Sequence, residues 1–177
     1  TYEVTNHTSK PLMVSVCGTM RNFVGQDGSK TYRDWKGDYI PVGAKNNKNV
    51  FREKNGLKGI FMYSDSIANT DAAYGSIAIS TDETGGVSYR RSSEPNHWER
   101  ATLDFWDDFS ADGELTDKTV LNDNNPMASL AVKKSVAPNS TQVFRFFITW
   151  NFPNRYAWSG VPVGNYYSTK YTDAWDA

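Results

Sequence analysis

Asp104, Asp107, Asp108 and Asp112 form the densest group of carboxylates in the chain. Two carboxylates held across a cleft in unlike environments can do acid and base work on a glycosidic bond. Here they fall around one short helical stretch, where neighbouring side chains point in different directions. Asp107-Asp108 is therefore a poor catalytic pair, and a solvated helix face is the better account. Asp108, Ser110, Asp112 and Gly113 also match positions one, three, five and six of a calcium-binding loop. Position twelve falls on Thr119, where a bidentate carboxylate is needed, so the match is incomplete. His7, His97 and the single cysteine, Cys17, give no zinc spacing. No Ser-His-Asp set and no phosphate-cradling glycine loop can be assembled. Asn6-His7-Thr8 and Asn139-Ser140-Thr141 match the glycosylation acceptor triplet, which matters only in a secretory eukaryote. On residues alone the chain reads as a binding or structural domain with no catalytic set, no metal site and no cofactor motif.

The elements that must position these residues are mostly strands. In Val143 to Pro153, Phe144, Phe146, Ile148 and Trp150 fall at spacing two and line one face of a strand. Phe144, Phe146 and Ile148 are expected in the core. Trp150, next to the strand's end at Pro153, is placed where a ring can face a groove. Tyr2 to Asn6 and Leu12 to Thr19 read as a hairpin around a His7–Pro11 turn. Gly25 to Asn55 shows no periodicity and reads as a long loop holding Tyr32, Trp35 and Tyr39. Leu57 to Tyr63, Tyr74 to Ser80 and Val87 to Arg90 read as an antiparallel meander, with Gly59 a point of close backbone approach. Leu103, Trp106 and Phe109 fall at spacing three, so they suggest a short helix. Thr102 is its candidate N-cap and Gly113 its left-handed stop. Ala128 to Lys133 is a further strand. The pattern predicts an all-β, antiparallel β-sandwich with one short helical insertion and long loops.

Composition sets the outer limits. The 177 residues suit a single domain spanning 1–177. The net charge of −1, with 19 basic and 20 acidic residues, argues against a nucleic-acid footprint. No apolar run approaches the ~20 residues of a membrane span. The chain opens at Thr1 inside a strand pattern, as a mature protein or an excised piece would. Aromatics make up 14% of it, a share that fits a β-rich domain or a carbohydrate-facing surface.

Several segments carry a resemblance. Tyr2-Glu3-Val4-Thr5-Asn6 followed by Pro11-Leu12-Met13-Val14-Ser15-Val16 resembles a hairpin of glycoside hydrolase family 116, the non-lysosomal glucosylceramidases and β-glucosidases. Met20 to Gly25 resembles that family's Trp-Gln-Asn-hydrophobic-Gly stretch, with Met20 and Arg21 in place of Trp and Gln. Gly56-Leu57-Lys58-Gly59-Ile60 is similar to one of its strands. Phe105 to Leu115 is similar to its Trp-x-Asp-Phe-Ser-x-Asp-Gly-x-Leu segment, the most specific match. Phe147 to Pro153 resembles another strand. Asn165 to Tyr171 stands where the family has an aromatic and basic run, of which Lys170 alone keeps the charge. These motifs come in family order and span essentially the whole chain.

The resemblance implies an amino-terminal β-sandwich domain, or most of one. The family's carboxylate pair belongs to a helical-toroid domain that follows, so no catalytic residue maps onto this sequence. The implied partners are that C-terminal catalytic domain of the same polypeptide and a carbohydrate or glycoside substrate. Trp35, Trp98 and Trp106 are the rings expected to face the substrate entrance, where a ring can stack on a sugar. Strands missing ahead of Thr1 would leave open edges, which favour a homodimer through a sheet edge. A free-standing carbohydrate-binding module and a purely structural sandwich are the alternatives. The lone cysteine leaves the compartment open, with periplasm or exterior slightly favoured over cytoplasm.

Overall fold

Two antiparallel sheets face each other across one apolar layer. The computed structural model describes residues 1–26, 31–33, 35, 39–41, 46–93, 100–119 and 126–177, with the backbone alone at 31–33, 39–41 and 100–101. The strands are β1 (Tyr2–Thr5), β2 (Leu12–Arg21), β3 (Thr31–Arg33), β4 (Tyr39–Pro41), β5 (Asn47–Lys54) and β6 (Leu57–Ser64). They continue as β7 (Ser76–Thr81), β8 (Val87–Arg90), β9 (Met127–Val136), β10 (Thr141–Phe144) and β11 (Phe147–Asn151), with helix α1 (Arg100–Asp112) between β8 and β9. One sheet has the order β11-β7-β6-β5 and the other β2-β9-β8, with β1-β10 and β3-β4 as separate pairs. This is the all-β sandwich with one short helix that the pattern predicts.

Alternation builds the core. Ile60 and Met62 of β6 and Ile77 and Ile79 of β7 point at Ala128 and Leu130 of β9, and all six are buried. Each large apolar side chain fully buried this way contributes about 1.5–3 kcal/mol. The opposite face of β6 and β7 is covered too, because Phe61 and Ala78 pack against Ala174 and Trp175 near the C-terminus. Gly59 is the close approach expected of it: a Cβ there would lie 2.2 Å from Ile79 O.

Five local expectations are corrected. The Val143–Pro153 stretch is two strands, because the chain changes sheets at Arg145 and Phe146. β10 pairs with β1 and β11 with β7. The buried Thr81 hydroxyl fixes that crossing, donating to Arg145 O at 2.7 Å. Phe144 is fully buried and Phe146 packs on the core, but Ile148 is more than half exposed. Its strand is a sheet edge that the facing sheet does not cover. Second, β1 and β2 do not pair with each other. Buried Asn6 donates to Lys10 O and Val136 O and accepts from Thr8 N, so the turn carries the chain between sheets. Third, Gly25–Asn55 is not one loop but holds β3, β4 and β5. The fully buried residues of β5 are Asn47 and Asn49, with Phe51 next on that face stacked on Tyr89, so the inward face is largely polar and escapes a hydrophobic pattern. Asn55 and Gly56, at φ +57° and +78°, close the two-residue β5–β6 turn.

Fourth, β8 leaves the meander. It pairs with β9 in the facing sheet rather than with β7. Fifth, α1 begins at Arg100, so Thr102 lies inside the helix and is not its cap. Arg100 and Ala101 are good helix formers and extend the first turn. Gly113 does end the helix, at φ +77°, with its N–H donating to Phe109 O at 2.8 Å.

Candidate functional site

Helix α1 is held by a charge latch that hydrophobic periodicity does not reveal. Arg90, at the end of β8, is completely buried. Its Nη1 donates to Asp104 Oδ2 at 2.7 Å and its Nε to Thr116 O at 3.1 Å. Its Nη2 lies 2.8 Å from Asp108 Oδ2, a charge pair outside hydrogen-bond alignment. Asp104 and Asp108 are one turn apart, so both reach the same guanidinium from one face of the helix. Lys118 Nζ donates to Asp104 Oδ1 at 2.5 Å. Thr116 donates to Asp108 from its backbone N–H at 2.8 Å and from its hydroxyl at 2.7 Å.

These contacts set the carboxylates' protonation. The hydrogen bond from Lys118 leads in holding Asp104 below the usual carboxylate range; burial works against it and the charge of Arg90 adds to it. For Asp108, burial pushes upward, but the bonds from Thr116 and the charge of Arg90 outweigh it and keep the group low. Both are acceptors committed to internal donors, and neither is poised to deliver a proton near neutrality. The partial calcium loop also resolves into helix. Asp108, Ser110 and Asp112 are helical, and Asp112 Oδ1 accepts from Glu114 N at 2.8 Å. Among the described residues no group of three or more His, Cys, Asp or Glu is placed to hold a metal ion. The Asn6 triplet is likewise internal, since its amide nitrogen is buried in two hydrogen bonds.

With Asp104 and Asp108 turned inward, Leu103 and Trp106 face out, each 59% exposed. Phe105 and Phe109 stack beside them with ring centroids 5.7 Å apart. Trp35 is 74% exposed. Trp98 lies outside the described residues. Trp150 is 56% exposed, in keeping with its place at a strand end. It and Ile148 flank a shallow groove of about 260 Å³ with Tyr167 and Tyr171. Trp158 was not singled out from the sequence, yet it is fully exposed. It tips a turn closed by Ala157 N to Val161 O at 2.8 Å and Gly160 N to Ala157 O at 2.9 Å. The Trp-Ser-Gly run around it is a turn signal that could have found it. Arg90 left no comparable signal, because an arginine at the end of a short strand, here followed by Arg91, reads as surface.

The residues behind the family resemblance now have structural jobs. Asn22 is buried and donates to Lys48 O, Asn49 Oδ1 and Tyr63 O, while its side-chain oxygen accepts from Val24 N. Asn151, also buried, donates to Tyr171 O at 2.9 Å. Leu115 is buried just beyond the Gly113 stop. These positions hold the two sheets, the helix and the C-terminal segment in register. No curated protein matches the chain. A family model described as "beta-glucosidase 2, glycosyl-hydrolase family 116 N-term" matches residues 1–177. The chain therefore belongs to the amino-terminal domain family of glycosyl hydrolase family 116.

Proposed function

We propose that this domain does no chemistry itself, packs on the catalytic domain of the same polypeptide, and walls one side of a glycoside substrate's entrance. The observation that carries this reading is the latch under α1. A buried guanidinium fixes the helix so that Leu103 and Trp106 project outward. A large ring on a rigid support is suited to a domain contact or to the apolar face of a sugar, since little conformational freedom is lost when it is covered. Trp35, also exposed, is assigned to the same entrance, as is Trp98.

Steady-state kinetics of the full-length enzyme test the role. Trp106→Ala is expected to raise KM for glucosides with a bulky aglycone by about three- to tenfold. kcat should stay within about twofold, because a ring that binds ground and transition state alike changes KM alone. Complete loss of turnover in a folded variant overturns the assignment. Pairing of two copies through a sheet edge is a second reading, favoured by β11, which among the described residues pairs with β7 alone. Light scattering at high protein concentration should then give the dimer mass; a monomer counts against it.

A further inference from the structure

The four-stranded sheet carries a second concave feature, on the face turned away from the sandwich core. A cleft of about 490 Å³ lies between the sheet, the 65–75 segment and the C-terminal segment. Its volume falls in the range of about 300–1,000 Å³ common to small-molecule sites. Phe61, Ser64, Ser76 and Asn151 form its buried floor, and Arg52, Tyr63, Asp65, Tyr74 and Asp173 stand around it. Neither Trp35 nor Trp106 lines it.

Three features define what it can take. First, Arg52 is pre-positioned. Its guanidinium sits 3.4 Å from the Phe61 ring centroid, and its Nη1 donates to Asp173 Oδ2 at 3.3 Å. Asp173 is in turn fixed by Trp175 N at 2.7 Å and Asp176 N at 3.1 Å. An arginine fork has five N–H donors, and among the described residues Asp173 is its hydrogen-bond partner, so further donors remain for a ligand. Second, Asp65, Tyr63 and Tyr74 line the same cleft, and their side-chain polar groups make no hydrogen bond with another described residue. Third, one guanidinium against two carboxylates leaves no positive excess, which disfavours phosphate and carboxylate ligands. Planar donors and acceptors beside tyrosine rings match vicinal hydroxyls on a ring with apolar C–H faces.

We propose that this cleft is a binding site for a neutral oligosaccharide, separate from the entrance face of α1. It holds glycan without cleaving it, so no bond is made or broken there. The proposal does not depend on the role given to Trp106.

The test uses the full-length enzyme with its active site saturated by a competitive iminosugar inhibitor. The probe is an array of neutral oligosaccharides comprising β-glucans, α-glucans, mannans and xylans, with anionic glycans alongside. The expected result is retained capture of at least one neutral class, weakened at least tenfold by Tyr74→Ala and by Arg52→Met. Asp65→Ala, at the exposed rim, gives a third variant that tests the site even if Arg52→Met fails to fold. Trp106→Ala should leave this capture unchanged, and hydrolysis of a small glucoside should be unchanged in Tyr74→Ala and Asp65→Ala. No capture with the active site filled overturns the proposal. So does capture of anionic glycans alone, or neutral capture that Tyr74→Ala and Asp65→Ala do not weaken. Failure of the Trp106→Ala kinetics with neutral capture intact removes the entrance reading and leaves this site standing.

Discussion

The sandwich interior is sealed by apolar side chains, whereas helix α1 also turns charge toward the fold. Between the sheets, Ile60, Met62, Ile77, Ile79 and Leu130 turn inward and exclude water. On α1 the half-buried face carries Asp104 and Asp108 together with the stacked rings of Phe105 and Phe109, while Leu103 and Trp106 face out. An apolar stripe marks the buried side of an element only where the surface beneath it is apolar. Beneath α1 lies a fully buried guanidinium, and there the carboxylates face inward.

The largest expected effect comes from removing that guanidinium. Arg90→Met should cost about 3–5 kcal/mol, because two partly buried carboxylates lose their counter-charge. Hydrogen exchange should show α1 amides opening while β6 and β7 stay protected. Equal loss in both regions would mean that the helix and sandwich are one cooperative unit, and that the contrast fails. Gly113→Ala should cost about 1–2 kcal/mol, read as a lower denaturation midpoint. The residue sits at φ +77°, and an added Cβ would meet Ser15 Oγ at 2.3 Å.

Acid should separate the two regions as well. Asp104 and Asp108 are held below their ordinary value of 3.8. A carboxyl depressed on folding adds stability that is present above the unfolded value and lost as pH falls through the folded one. Loosening of α1 is therefore expected below about pH 3.8, ahead of the apolar interior, and near-ultraviolet circular dichroism of the aromatic-rich helix would follow it. Coincident transitions in helix and sheet signals would count against a separate latch. The smallest effect is Trp106→Ala on stability, expected within about 0.5 kcal/mol by thermal denaturation because the ring is mostly in solvent. A larger loss would show that the ring supports the fold and is not free for another surface.

Much of the architecture was legible in short patterns. Apolar patterning marked β6, β7 and β9, the spacing of Leu103, Trp106 and Phe109 marked the helix, and Gly59 and Gly113 declared a close approach and a stop. β5 was hidden because Asn47 and Asn49 replace apolar residues on its buried face. Its Asn55-Gly56 turn was nonetheless a readable hairpin signal. Of the three tryptophans assigned to the entrance, Trp35 and Trp106 are exposed, and Trp98 lies outside the described residues. The exposed Trp158 and the cleft beside Arg52 had no strong mark in the pattern.

Periodicity and turn residues act over a few neighbours, so they specify strand, helix and stop, and with them an all-β class. Which strand lies beside which depends on contacts between residues far apart in the chain, and a period of two is the same in either sheet. That is why one aromatic stretch divides at Arg145 and Phe146 into β10 and β11, and why β1 and β2 part company. The buried Arg90 latch has the same origin: its partners come from β8, α1 and the segment after it, and the site exists once packing brings them within hydrogen-bond reach.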